Sequence, residues 1–210
     1  MKINTISKAT LGRLPEYLEY LKKSSSEYIS SSKIAKDLFL GEVQVRKDLN
    51  KVCGAGRPRI GYLTLDLISS IENCLGKEVI NYAIIIGAGK LGMALLNYQG
   101  FEEYGIKISA AFDKDESKIN ESINIYSLSK INEYCKNNII QIGIIAVPTN
   151  SAQEVLDILI KNDIKAIWNF APCKLKYPDN VIFIQENLAL SLAHLNNQLN
   201  SKLRGKNEIR

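Results

Sequence analysis

Three glycines, Gly87, Gly89 and Gly92, stand in the spacing G-x-G-x-x-G directly after the apolar run Tyr82-Ala83-Ile84-Ile85-Ile86. A short buried strand that breaks into this spacing is what a dinucleotide pyrophosphate requires. Gly87 permits the tight turn, Gly89 lets backbone N–H groups approach the phosphates, and Gly92 lets the following helix pack closely on the sheet. Ala88, Lys90 and Leu91 complete the loop, with Lys90 either near the pyrophosphate or solvated. A second apolar run ends at Asp113, about 21 residues past Gly92. There the fold places a carboxylate for the adenosine ribose hydroxyls, and its charge disfavours a 2′-phosphate, so NAD+ and NADH are the expected ligands. Val147-Pro148-Thr149 and Asn169-Phe170-Ala171-Pro172 each end a strand candidate. Loops at that edge of an open sheet are placed to line the nicotinamide half, whether or not their prolines also terminate the strands.

Other catalytic chemistry is poorly provided for. Hydride transfer usually needs an acid or base against the substrate. The single histidine, His194, falls in an apolar C-terminal segment that suits packing or an interface. Cys53, Cys74, Cys135 and Cys173 are scattered without a C-x-x-C pair, so neither a metal site nor a disulfide framework is indicated. Redox sensing by Cys53 would lack an adjacent resolving thiol. The pattern suits a protein that reads a dinucleotide better than one that consumes it. An NAD-dependent oxidoreductase with an N-terminal accessory domain is the alternative, and a DNA-binding protein whose nucleotide fold only stabilises a dimer is another.

A second group of residues suits an anionic partner. Of the net charge of +5, the first 80 residues carry 13 Lys/Arg against 9 Asp/Glu, and the remaining 130 are nearly balanced. Three short helices are expected: Leu11 to Leu21 with Pro15 near its first turn, a serine-capped helix through Ile34, and Glu42 to about Val52, with Gly41 as the turn before the last. That is a helix-turn-helix core. Gln44, Arg46, Lys47 and Lys51 lie largely off the buried stripe of the third helix, and Arg57 and Arg59 lie in a glycine-rich turn or wing. These side chains can meet phosphates, base edges or a minor groove, or simply form a solvated face.

Composition and periodicity supply the scaffold. Apolar content of 46% and charged content of 23% are ordinary for a globular chain. The longest apolar runs fall far short of a membrane span, and Met1 to Thr5 does not resemble a signal peptide, so a cytoplasmic location is expected. Strand candidates at 82–86, 106–112, 140–147, 165–169 and 181–183 alternate with helices at 91–98, 128–136 and 152–161. This is an α/β pattern, a doubly wound parallel Rossmann sheet behind a winged-helix domain. The expected division is residues 1–80, 81–186 and a C-terminal helix over 187–210. That helix carries Leu188, Leu190, Leu192, Leu195 and Leu199 with no strand after it, which calls for a partner subunit to cover it.

The whole chain resembles the Rex family of redox-sensing transcriptional repressors. The markers are Ile6-Ser7-Lys8-Ala9-Thr10 with Arg13-Leu14, Gln44 to Leu49, Gly61-Tyr62, Gly87 to Gly92, Tyr98 with Gly100-Phe101, Phe112-Asp113-Lys114-Asp115, Val147-Pro148, Ala152-Gln153 and Asn169 to Pro172. The resemblance implies a homodimer with a swapped C-terminal helix, bound to a palindromic operator and released by NADH. It puts Arg46 and Lys47 on the recognition helix, Tyr98 and Asn169, Phe170, Ala171 and Pro172 around the nicotinamide, and Asp113 on the ribose. An apolar pocket near Tyr98 and Phe170 would then favour the neutral reduced ring. Glu19 and Asn187 stand where many members carry an arginine and an acidic residue, and the wing departs from the usual phenylalanine-glycine run.

Overall fold

The computed structural model describes residues 6–76 and 79–207, with side chains as far as residue 203. The Cα packing separates two units: Met1–Ile80 together with Gly100–Ile106, and Asn81–Gln99 together with Lys107–Arg210.

In the first unit, α1 (Lys8–Lys23) starts earlier than its apolar stripe, because the Ser7 hydroxyl accepts from the Thr10 amide at its N-cap. Pro15 consequently lies well inside the helix rather than in its first turn. The lost hydrogen bond is tolerated in a helix that buries Leu14, Tyr17, Leu18 and Leu21. α2 (Ser31–Asp37) is capped by Ser30, and α3 (Glu42–Cys53) follows after four residues. Gly41 is the extended N-cap of α3 at φ −71, so it is not the left-handed turn residue; that residue is Phe39 at φ 55. α4 (Thr64–Cys74) closes the core, packing Leu67 and Ile71 with Ile34, Val45 and Leu49. β1 (Tyr28–Ile29) pairs antiparallel with β2 (Tyr62–Leu63), which gives the winged-helix arrangement its small sheet.

The segment Gly100–Ile106 was grouped by sequence with the nucleotide fold, yet it packs with the first unit. A Cβ on Gly105 would lie 1.9 Å from the Gly76 carbonyl oxygen, so only glycine allows the approach.

In the second unit, six strands are ordered β5-β4-β3-β6-β7-β8. They are β3 (Asn81–Ile86), β4 (Ile106–Asp113), β5 (Ile125–Ser127), β6 (Ile142–Ile145), β7 (Ala166–Asn169) and β8 (Ile182–Gln185). The pairs β3·β6, β4·β5, β6·β7 and β7·β8 are parallel. Between them run α5 (Lys90–Leu96), α6 (Ile131–Asn137) and α7 (Thr149–Lys161). Ile84, Ile86, Phe112, Ile145, Leu156 and Ile167 form the main core. The chain reverses its winding between β3 and β6, and their carboxyl ends open a crevice there. β5 was not foreseen, since three residues carry too little periodicity to read. Residues 128–130 form a 3-10 turn that leads into α6, and β6 starts two residues later than the apolar run.

The last helix, α8 (Leu188–Asn207), leaves Leu188, Leu192, Leu195, Leu199 and Leu203 exposed at a repeating spacing of three or four residues. No helix among the described residues is long and apolar enough to cross a membrane.

Candidate functional site

The carboxyl ends of β3, β4 and β6 surround a cavity of about 630 Å³, within the roughly 300–1,000 Å³ common for small-molecule sites. Gly87, Gly89, Asp113, Val147 and Pro148 line it, as the sequence suggested, with Phe112 and Val155 adding apolar wall. The three glycines divide their tasks. Gly87 has φ +107, and a Cβ there would meet the Ala146 carbonyl oxygen at 2.5 Å. A Cβ on Gly92 would stand 1.9 Å from the Gly87 carbonyl oxygen, so α5 can cross the loop only with glycine. Around Gly89 nothing lies within 4 Å of the added atom, and bare backbone faces open space there. Such a loop can admit phosphate oxygens to its amides.

Asp113 is 7% exposed and holds the loop in place. Its Oδ2 accepts from the Ala88 amide at 2.8 Å and from Lys118 Nζ at 3.0 Å, while Oδ1 accepts from the Asp115 amide at 3.0 Å. Burial pushes this carboxyl up, but the Asp115 amide, Lys118 and the Ala88 amide together hold it below its usual range. A carboxylate has about four acceptor positions, so one remains for a ligand hydroxyl. Lys118, read from sequence as a surface loop residue, lines the cavity and bridges Asp113 and Asp115. Its pairing spans five residues through a 3-10 turn, which no helical or strand periodicity would reveal.

The other expected ligand residues are placed differently. Ala88 is buried and contributes its amide to Asp113. Lys90 is exposed and Leu91 half-buried at the start of α5. Tyr98 is exposed beyond α5, and Phe170 packs against Trp168 with ring centroids 4.4 Å apart. Neither lines the cavity, whose apolar wall is formed by Phe112, Val147 and Val155. Asn169 is fully buried: its Nδ2 donates to the Ala171 carbonyl and Gln185 Oε1, and its Oδ1 accepts from the Ala171 amide. Its amide therefore shapes the loop through Ala171. Pro172 is exposed and borders a separate groove with Tyr177 and Phe183.

In the first unit Gln44, Arg46, Lys47 and Lys51 are all exposed on α3, and Arg57 and Arg59 are exposed on the turn that follows. That turn is closed by hydrogen bonds from the Ile60 and Gly61 amides to the Arg57 carbonyl, with Pro58 and then Arg59 at φ 63 in its centre. Its base is tied to α3 by the Tyr62 hydroxyl donating to Asn50 Oδ1. The orientation of α3 is set from beneath by Asp48, 3% exposed. Arg13 donates to both its oxygens, at 2.7 and 2.9 Å, and the Thr10 and Tyr17 hydroxyls donate as well. Burial raises the Asp48 carboxyl, but Arg13, Thr10 and Tyr17 outweigh it and hold it low. Burial and the neighbouring Asp48 push Tyr17 up to about 12. The Cys53 thiol donates to the Leu49 carbonyl, and burial raises it to about 11, which removes it from thiolate chemistry near neutrality.

Two family models cover these two sites. Residues 5–50 match the putative DNA-binding protein N-terminus, and residues 80–173 match the CoA binding domain. The redox-sensing transcriptional repressor Rex of Treponema denticola is 42% identical over 196 residues, spanning 90% of this chain and 93% of that protein. Among solved structures, the repressor RSP in complex with β-NAD+ and operator DNA superposes with a TM-score of 0.80 at 33% identity, covering 97% of this chain and 96% of that one. RSP in complex with β-NADH gives a TM-score of 0.77 at 34% identity, covering 96% and 98%. The likeness takes in both the exposed basic helix and the glycine-floored cavity, and on that ground the chain belongs to the Rex family of redox-sensing transcriptional repressors.

Proposed function

We propose that this protein binds a palindromic operator as a homodimer through α3 and its wing, and leaves it when NADH occupies the cavity of the second unit. The observation that carries the reading is the cavity itself, with open glycine backbone at Gly89, a spare acceptor position on Asp113 and apolar walls. These residues fit a dinucleotide: the loop amides suit the pyrophosphate and Asp113 a ribose hydroxyl. A dinucleotide would bring a nicotinamide ring that is cationic when oxidised and neutral when reduced. A ring packed on Phe112, Val147, Pro148 and Val155, away from Asp115 and Glu154 on the same lining, is favoured in its neutral form. A ligand shifts a conformational equilibrium only through unequal affinity for its two states. NADH therefore displaces the operator by preferring a form of the dimer that holds DNA poorly.

The family's members are transcriptional repressors, and the reading accordingly includes no turnover of the cofactor. The leucine stripe of α8 supports the dimer, since a second copy gives it a surface to bury. A DNA-binding repressor of this kind works in the cytoplasm. The test is a mobility-shift titration on operator DNA with NADH and NAD+ added separately. Release by NADH at concentrations where NAD+ leaves the complex intact is expected; equal response to both, or to neither, overturns the reading.

A further inference from the structure

Phe39 combines an exposed aromatic side chain with a backbone conformation that bulky residues rarely adopt. Its side chain is 96% exposed and its backbone is left-handed at φ 55. The cause is the way α2 ends: the Leu40 amide bonds the Ala35 carbonyl and the Phe39 amide bonds the Lys36 carbonyl. This pair of bonds requires a left-handed residue in Phe39's position, where glycine is the usual occupant. α7 ends on the same pair of bonds with Asp163 at φ 61, and Gly76 follows α4 at φ +80. Aspartate and glycine enter that conformation readily, whereas a phenylalanine does so under strain. The ring gains no burial in return. An exposed ring on a strained backbone points to a contact outside the fold.

The surroundings indicate its chemistry. Phe39 lies two residues before the N-cap of α3, in the part of a helix-turn-helix that approaches the major groove. Val43 in the first turn of α3 is 56% exposed, and Lys36, Arg46 and Lys47 are exposed on either side in sequence. Apolar tips among cations suit a polyanion that displays methyl groups, and the thymine C5-methyl in the major groove is such a group. We infer that Phe39 packs on a thymine methyl in each operator half-site and so makes this protein select thymine over cytosine at that position. The inference rests on the DNA-binding reading above.

The test uses the full-length protein and a duplex enriched from a random library by the wild type. Each thymine is replaced in turn by uracil, which keeps the base pair and removes the methyl, and affinities are read by mobility shift. One thymine per half-site should show about a fourfold loss, the effect of one buried methyl. Phe39→Asn and Phe39→Gly both accept the left-handed backbone. They should bind the unmodified duplex about fourfold more weakly per half-site, ignore uracil at that thymine, and melt no lower than the wild type. The inference is overturned if either variant binds as tightly as the wild type, or if the uracil penalty persists in both. It also falls if no single uracil weakens the wild type. Should the wild type enrich no duplex, the DNA-binding reading itself falls, and this inference with it. With DNA binding intact, Arg46→Ala weakens every duplex whatever becomes of Phe39, so the two failures are distinct.

Discussion

Asp48 in the first unit and Asp113 in the second are both buried carboxylates, each held ionised by hydrogen bonds and a neighbouring cation. Their surroundings differ in one respect. Asp48 spends its acceptor positions on Arg13, Thr10 and Tyr17, all from α1. Asp113 accepts from two amides and Lys118 and stands on a cavity wall with capacity left over. A carboxylate saturated by its own chain fixes geometry, while an unsaturated one beside open space can also recognise a ligand. In this protein the first kind aims α3 and the second kind serves the nucleotide loop.

The largest effect expected from breaking this comparison is on stability. Asp48→Ala leaves Arg13 without its carboxylate and should cost about 3 kcal/mol in urea unfolding, with NADH affinity in the folded protein unchanged. Asp113→Ala should cost less, about 1 kcal/mol, because amides beside a cavity can turn to water. Its main effect belongs to calorimetric titration, with NADH bound about tenfold more weakly, or about 1.4 kcal/mol. If Asp113→Ala binds NADH as the wild type does, the two carboxylates are alike and the contrast fails. Smaller again, Lys47→Ala should lower the slope of log affinity against log salt on operator DNA by about 1 while leaving stability and NADH binding alone.

The smallest effect is the response to acid. Both carboxyls have folded values below their ordinary 3.8. The stability they contribute is therefore present above that value and lost as pH falls through the folded values. Urea midpoints should drop below about pH 4. Asp48→Asn should flatten that drop more than Asp113→Asn, because fewer of its partners can reach water.

The glycine loop, the cavity at β3 and β6, and the basic α3 were legible because each depends on local spacing or on alternation along the chain. The Arg13–Asp48 pair was not, since 35 residues separate its members and only packing brings them together. Asn169 was read as a ligand contact from its place at a strand end, but the hydrogen bonds that occupy it come from its own loop and from Gln185 on the next strand. Gly41 was read as the turn because glycine favours turns, yet the geometry of α2's last bonds moved the left-handed position to Phe39. Residue type gave the right segment and the wrong residue.

The close approach of Gly105 to Gly76 means that the first unit is not inherited as one continuous stretch of gene. Cutting the chain after residue 80 leaves behind the seven residues Gly100–Ile106 that complete it. Exchanging residues 1–80 between relatives would pair one protein's Gly76 with another's strap, and any side chain at position 105 would collide with it. Transplanting a new DNA preference is safer as a graft of α2 and α3 alone. The DNA-binding unit is therefore completed by a segment that the chain supplies only after it has begun the nucleotide fold.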